Sequence, residues 1–314
     1  MDAKKIAIID LGSNSTRLVI EELHSDRKYQ EVYRVKEDTR LSQNMGTDLL
    51  LRPEPIRRTI AVLKDYQKII SGFTVDQTFA ITTAAVRTAK NQKEFLDQVL
   101  DETGIQFRVL TGQEEAHYDF LGVQAALPDV KAGIILDTGG ASVEVIPFEN
   151  GKSAAEVSLP FGAVNLSEKY SLASDIDLQD VQKASLAIQA DFSKLDFVQN
   201  FQNHPIILLG GANRSLAKMA EKQALVQKSK KLHGFMMPAN QVTEIFNKIS
   251  GMSRSDREHL AGLEKSRADI IVSGLLPVLN LIKVFTAPQV IFSESGVREG
   301  LIESFFETEE KKEL

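Results

Sequence analysis

Asp10-Leu11-Gly12-Ser13-Asn14-Ser15 follows the apolar run Ala7-Ile8-Ile9 and precedes Leu18-Val19-Ile20. A variant of the same stretch returns as Asp137-Thr138-Gly139-Gly140-Ala141-Ser142, between Ile134-Ile135-Leu136 and Val143, Val145 and Ile146. Asp10 aligns with Asp137, Gly12 with Gly139 and Ser15 with Ser142, each pair 127 positions apart. Each copy predicts a strand, a tight turn of small residues and a second strand. Gly12 and Gly139-Gly140 let backbone amides approach an anion, because no side chain stands in the way. Ser13, Asn14, Ser15 and Ser142 add neutral donors. One copy alone reads equally well as an ordinary hairpin turn, since short glycine motifs are weak signals. Two copies at matching places favour a pair of phosphate loops that face each other as a clamp.

The copies sit in two α/β halves. In the first, strands are expected at 5–10, 17–23, 29–37, 77–82 and 106–110. A helix over 53–70 is expected from Pro53 and Pro55 near its start and Ile56, Ile60, Leu63 and Ile70 at helical spacing. Asn91 with Glu94 resembles a capping box opening helix 92–103, and Gly104 supplies the stop. The second half begins again with hairpin 133–148, followed by Glu156-Val157-Ser158-Leu159-Pro160. It continues with helix 175–198, strand Ile206–Leu209, a helix after Gly210-Gly211, a buried helix over 266–285, strand 289–292 and a final helix. The charged tail from Glu307 to Leu314 is expected to fray. The domains expected are 1–126 and 127–314, with helix 298–314 packing back on the first and a ligand cleft between the lobes.

The 314 residues suffice for two medium domains. Hydrophobic residues at 43% and charged residues at 25% are ordinary for a soluble globular chain. The chain has no cysteine, which excludes disulfides, thiolate metal sites and thiol catalysis and fits a reducing compartment. Apolar runs such as Ile270-Ile271-Val272 are too short for a membrane span, and Met1 to Lys5 leads straight into a strand. A cytoplasmic protein without a signal peptide is the expectation. A net charge of −6 argues against general nucleic-acid binding, so a polyanionic substrate needs a local positive field.

Asp10 and Asp137 each end an apolar strand, where a carboxylate can hold magnesium. Glu144 lies on the returning strand and reads either as a third such ligand or as a solvent-facing strand residue. The strand-to-helix turns Ala80–Arg87 and Leu208–Arg214, the latter carrying Gly210 and Gly211, offer free amides and a helix dipole to anions. Arg87 suits bidentate phosphate binding, or an ordinary surface ion pair. Thr111 and Glu114 form the T-x-x-E capping pattern, which leaves Glu115 without a structural task at the start of a helix. A carboxylate there can take a proton from an attacking water, although an acid favoured by the helix dipole explains it too. His117, two residues on, faces another side of the helix. No Walker loop, G-x-S-x-G elbow or histidine metal spacing is present.

Six motifs occur in order: Asp10–Ser15, Thr82–Arg87, Thr111–Ala116, Asp137–Glu144, Leu159–Ala163 and Ser295–Gly300. Together they resemble the exopolyphosphatase/guanosine pentaphosphate phosphohydrolase family over roughly residues 5–305. The resemblance implies a duplicated ribonuclease-H-like fold of the actin-like ATPase superfamily. It implies magnesium-dependent hydrolysis of a terminal phosphoanhydride of inorganic polyphosphate or guanosine pentaphosphate, and a homodimer. It implies Glu115 as general base, Arg87 as phosphate ligand, and Asp137, Gly139 and Glu144 in the second phosphate loop and magnesium region. Ala141 departs from the family, which usually has a third glycine there; it is strained only if its φ is positive. Longer members continue into helical C-terminal domains, so short polyphosphate or a nucleotide is expected to suit this chain better.

The reading is a phosphatase whose two loops hold terminal phosphates. Two rivals share the loops. One is a kinase or ATP-driven actuator of the superfamily, and the other a non-enzymatic sensor of guanosine tetra- or pentaphosphate.

Overall fold

The computed structural model describes residues 4–222 and 232–313. The chain divides into two compact units, Met1–Glu114 with Ile302–Leu314, and Glu115–Leu301.

The first unit carries β1 (Lys4–Leu11), β2 (Thr16–Leu23), β3 (Tyr29–Glu37), α1 (Pro53–Ser71), β4 (Gln77–Thr82), α2 (Ala84–Thr88), α3 (Gln92–Thr103) and β5 (Arg108–Val109). Its sheet runs β3-β2-β1-β4-β5. β1 and β2 pair antiparallel, as do β2 and β3, whereas β4 lies parallel to both β1 and β5. Every residue of β1 from Ile6 to Ile9 is buried, as expected of a central strand covered on both faces. α1 begins at Pro53, where a missing N–H costs nothing, and turns Ile60, Leu63 and Tyr66 into the core. The capping box expected at Asn91 does not form. The Asn91 side chain instead accepts from Leu51 N–H at 2.9 Å and donates to Leu51 C=O at 3.0 Å, joining the start of α3 to the segment before α1.

α4 (Gly112–Ala126) leads from the first unit into the second. The second unit then carries β6 (Ala132–Thr138), β7 (Val143–Glu149), β8 (Lys152–Ser153), β9 (Val157–Leu159), α5 (Ala163–Lys169), α6 (Leu178–Phe192), β10 (Ile206–Leu209), α7 (Gly211–Lys222), β11 (Met236–Pro238), α8 (Ala239–Ser250), α9 (Arg254–Glu258), α10 (Ile271–Phe285) and β12 (Gln289–Phe292). α11 (Val297–Glu313) leads back, its residues from Ile302 onward belonging to the first unit. The tail expected to fray is helical through Glu313.

The second sheet repeats the first. β7 pairs antiparallel with β6 and with β9, and β10 pairs parallel with β6 and β12. The order β9-β7-β6-β10-β12 therefore matches β3-β2-β1-β4-β5. The third strand is split in this copy, β8 and β9 pairing with opposite ends of β7, and β11 adds an antiparallel edge. α4 belongs here because Ala116, Phe120 and Val123 pack on Ile135, Ile146, Phe148 and Ile207. The opposite core centres on α10, buried along nearly its whole length.

Two helices are shorter than their apolar spacing suggests. α6 starts at Leu178 because Asp177 caps it, accepting from Gln179 N–H at 2.8 Å. α10 starts at Ile271, not 266; the Ser167 hydroxyl takes the Asp269 carbonyl at 2.8 Å, and a short 3₁₀ turn, Lys265–Arg267, precedes it.

Candidate active site

The two loops close with the same bond. Gly12 N–H donates to Ser15 C=O, and Gly139 N–H to Ser142 C=O, each at 3.1 Å. In the second loop, the carbonyls of Gly139 and Gly140 accept from Ala163 and Val164 N–H at 2.9 and 2.8 Å, at the start of α5. The Asn165 amide donates to the Ala141 carbonyl at 3.2 Å. In a trans peptide the carbonyl and the following N–H point in opposite directions. With these three carbonyls turned to α5, the N–H groups of Gly140, Ala141 and Ser142 are directed away from it. That is a row of donors fit for an anion. Ala141 is not among the residues with positive φ, so it replaces glycine without strain.

The first loop uses the same device with different partners. Ser42 N–H donates to Ser13 C=O at 2.9 Å and Arg40 N–H to Asn14 C=O at 2.8 Å, which turns the Asn14 and Ser15 amides the other way. The Ser13 hydroxyl accepts from Ala85 N–H at 3.2 Å, tying this loop to the start of α2. Arg40 holds a left-handed φ of 48°, a conformation costly for a side chain with a Cβ and typical of functional segments. Nothing in the sequence marks Arg40 for this conformation.

The acidic residues follow from sheet register. Asp137 and Glu144 are direct partners across β6 and β7. Like charges placed opposite each other in a hairpin repel unless something lies between them. The corresponding partner of Asp10 is Arg17. The duplicated aspartates thus face opposite chemistry: Asp10 a cation, Asp137 a second carboxylate. Asp119, on α4 one turn beyond Glu115, completes the second group. One carboxylate oxygen each of Asp119, Asp137 and Glu144 lie within 4.8 Å of one another. Asp119 escaped the sequence reading although it stands four residues after Glu115, the spacing that shares a helix face.

Asp119 and Glu144 are fully buried. Burial holds the Asp119 carboxyl well above the ordinary carboxylate range, and the charges of Asp137, Glu144 and Glu115 push the same way. Val297 N–H, at the start of α11, offsets this only in part, and among the described residues neither Asp119 oxygen gains a well-formed hydrogen bond. Glu144 is raised by burial first, then by Glu115 and Asp137, against the Ser158 and Ser142 hydroxyls. Ser158, its cross-strand partner on β9, donates to Oε1 at 2.7 Å, while Oε2 has no hydrogen-bond partner among the described residues. Three clustered carboxylates, two of them with buried oxygens that no described residue bonds, Asp119 and Glu144, match a hard divalent cation such as magnesium.

Glu114 and Glu115 divide as their neighbours dictate. Thr111 N–H donates to Glu114 Oε2 at 2.8 Å, Glu114 N–H donates to Thr111 Oγ1 at 3.1 Å, and Arg108 pairs with the same carboxylate. The Thr111 N–H holds the Glu114 carboxyl below its ordinary range, with the Thr111 hydroxyl and Arg108 adding to it against modest burial. Glu115 is buried in the second unit, and its charge acts on Asp119 and Glu144. His117 is exposed and pairs with Glu156 at 2.8 Å. Arg87 is anchored in the first unit, its Nη1 donating to Leu110 C=O at 3.0 Å.

Leu209 is the β10 partner of Asp137, which brings the following Gly210-Gly211 turn onto the second loop. Gly210 has φ +91°, and a Cβ there would lie 2.5 Å from Thr138 O and 2.6 Å from Asp137 Oδ1. Gly210→Ala is expected to cost about 2–4 kcal/mol, from the left-handed φ and this clash together. Thermal unfolding checks it, and an unchanged Tm would contradict the geometry. The Arg267 guanidinium lies against the Gly211 backbone at the start of α7 and pairs with Glu264 at 3.2 Å. A cation at a helix N-terminus opposes the dipole, so its placement there favours an anion on that turn. Arg267, too, carried no signal in the sequence.

A duplicated α/β fold, with a strand, small-residue turn and strand opening each copy and a carboxylate cluster beside the second, defines an actin-like protein. The chain belongs to the Ppx/GppA phosphatase family, whose sequence profile matches residues 18–309. Exopolyphosphatase 2 of Mycobacterium tuberculosis is 27% identical over 96% of this chain and 98% of its own length. The bifunctional 3-dehydroquinate synthase/phosphatase of Fusobacterium nucleatum is 28% identical over 94% of this chain, which spans only 46% of that protein. Among solved structures, the Aquifex aeolicus PPX-GPPA enzyme superposes with a TM-score of 0.77 at 29% identity, covering 96% of this chain and 99% of that one. An exopolyphosphatase of Cytophaga hutchinsonii shares the fold at TM-score 0.87 and 21% identity, over 97% of this chain and 98% of its own.

Proposed function

We propose that the protein hydrolyses terminal phosphoanhydride bonds, releasing orthophosphate from inorganic polyphosphate or the 5′-γ-phosphate from guanosine pentaphosphate. The observation that carries this reading is Glu115: a buried carboxylate with its neighbour Glu114 committed to capping, beside a loop whose amides are turned outward. Water adds to the terminal phosphorus, the bridging P–O bond breaks, the shortened chain leaves with the bridging oxygen, and Glu115 takes the proton of the water. The amides of Gly140 and Ala141 and the Ser142 hydroxyl hold phosphoryl oxygens. The first loop, from Gly12 to Ser15, and Arg87 are assigned to phosphate oxygens as well. Asp137 and Glu144 would hold magnesium, which when bound offsets charge on the phosphoryl oxygens. Asp10, facing Arg17, is better read as fixing the first loop than as a metal ligand.

The test is orthophosphate release from short polyphosphate, long polyphosphate, guanosine pentaphosphate and ATP, without an acceptor, in magnesium and in chelator. Release from polyphosphate or pentaphosphate that disappears in chelator is expected. Release only with a sugar acceptor would favour a kinase, and binding without release a sensor. A cytoplasmic location and a homodimer belong to the same proposal on the family resemblance, and light scattering checks the dimer.

A further inference from the structure

We propose that Asp119 is a direct third ligand of the divalent cation, so that this chain binds the ion in a site of its own side chains before any phosphate compound arrives. The inference deepens the reading above and rests on it only for the choice of a magnesium-like ion. Magnesium sites in phosphoryl-transfer proteins ordinarily use one or two carboxylates and complete the shell with substrate phosphate and water. A third carboxylate changes that balance. It adds a full negative charge at close range, where burial leaves little solvent to screen it.

Helix capping alone does not call for the charge of Asp119. Asp119 is 0% exposed, and among the described residues neither oxygen has a well-formed hydrogen-bond partner, yet one lies within 4.8 Å of ligand oxygens on both Asp137 and Glu144. A buried carboxylate in that state is strongly unfavourable unless a cation compensates it. The competing explanation is that Asp119 caps α11, since Val297 N–H faces it and a Cβ on Gly296 would sit 2.8 Å from its Oδ1. A cap needs an oxygen acceptor but not a full charge, and the two amides just before the helix have acceptors of their own. Gly296 N–H donates to Glu299 Oε2 at 2.9 Å, and Ser295 N–H to the Ser293 hydroxyl at 3.1 Å. The glycine at 296 then serves to leave room for the Asp119 carboxylate.

The two explanations part on Asp119→Asn, because asparagine caps a helix as well as aspartate but carries no charge. Manganese(II) binding to the full chain, stripped with chelator and free of phosphate compounds, is followed by electron paramagnetic resonance, with magnesium competing. Wild type is expected to take up one ion. The D119N chain is expected to bind on the order of 10–100-fold more weakly, with its apparent Tm in chelator unchanged or higher. Unchanged affinity in D119N, or wild type that binds manganese only after polyphosphate is added, overturns the inference. If D119N fails to fold, Asp119→Ser, also a good cap, is measured by the same criteria. Magnesium-dependent phosphate release without prior ion binding would remove this inference alone. Ion binding without phosphate release would remove the hydrolase reading and leave this one standing.

Discussion

Glu115→Gln should lower turnover by about 10²–10⁴ while leaving the fold and substrate affinity nearly intact, because general-base catalysis contributes on that scale. The substitution keeps the side chain's size and its place in the first turn of α4. It removes the negative charge and with it the ability to accept a proton. The helix start does not depend on it, since Thr111 and Glu114 already exchange both capping bonds. The measurement is single-turnover phosphate release beside KM, with circular dichroism as the folding control. A fall in kcat at constant KM marks a group used only in the transition state. Glu114→Gln is the contrast. It weakens a cap, so it should lower Tm modestly and leave the chemistry largely intact. If the two variants behave alike, or if Glu115→Gln turns over normally, Glu115 is not the base.

How far these roles could be read from the sequence depends on the kind of physics behind each. The duplicated hairpins were legible because a buried strand, a small-residue turn and a second buried strand leave a local pattern. The recurrence at a fixed offset then removed the ambiguity of each copy alone. The division between Glu114 and Glu115 was legible for the same reason, since a capping box spans four residues. Asn91 shows the limit of such local logic. Its pattern with Glu94 suits a cap, but a partner forty positions away, Leu51, takes the side chain instead. Register is the other limit. That Asp137 faces Glu144 whereas Asp10 faces Arg17 follows from the antiparallel pairing in each hairpin. Asp10 and Asp137 read alike in the sequence, and only register gives them different partners. Asp119 was within reach, because the spacing argument that set His117 aside also places residue 119 on the face of Glu115. Arg40 and Arg267 were not, since a left-handed arginine and an arginine lying on a distant glycine are set by tertiary contacts.

The second large effect is a reversal between stability and activity at Glu144. Burial and the neighbouring carboxylates hold the Glu144 and Asp119 carboxyls above their ordinary values of 4.5 and 3.8. The native state therefore keeps protons that the unfolded chain has already released. Stability contributed by those protonated groups is complete below the ordinary values and is lost as pH rises through the higher native ones. In chelator, the apparent Tm of wild type should accordingly fall from mildly acid to mildly alkaline pH. Glu144→Gln, which cannot ionise but still offers Ser158 an acceptor, should fall less and overtake wild type at alkaline pH. With magnesium present the order should reverse, because wild type gains the binding energy of the ion and the variant loses a ligand. Phosphate release by the variant should drop on the order of 10²–10³ at limiting magnesium, the scale of one lost electrostatic contact to the transition state. Melting curves across pH, with and without magnesium, decide the matter. Parallel curves for the two proteins in chelator would mean that these carboxylates are not the charge the fold works to hold. A crossing that magnesium removes would identify the same side chains as the weakest point of the ion-free fold and the ligands through which the ion restores it.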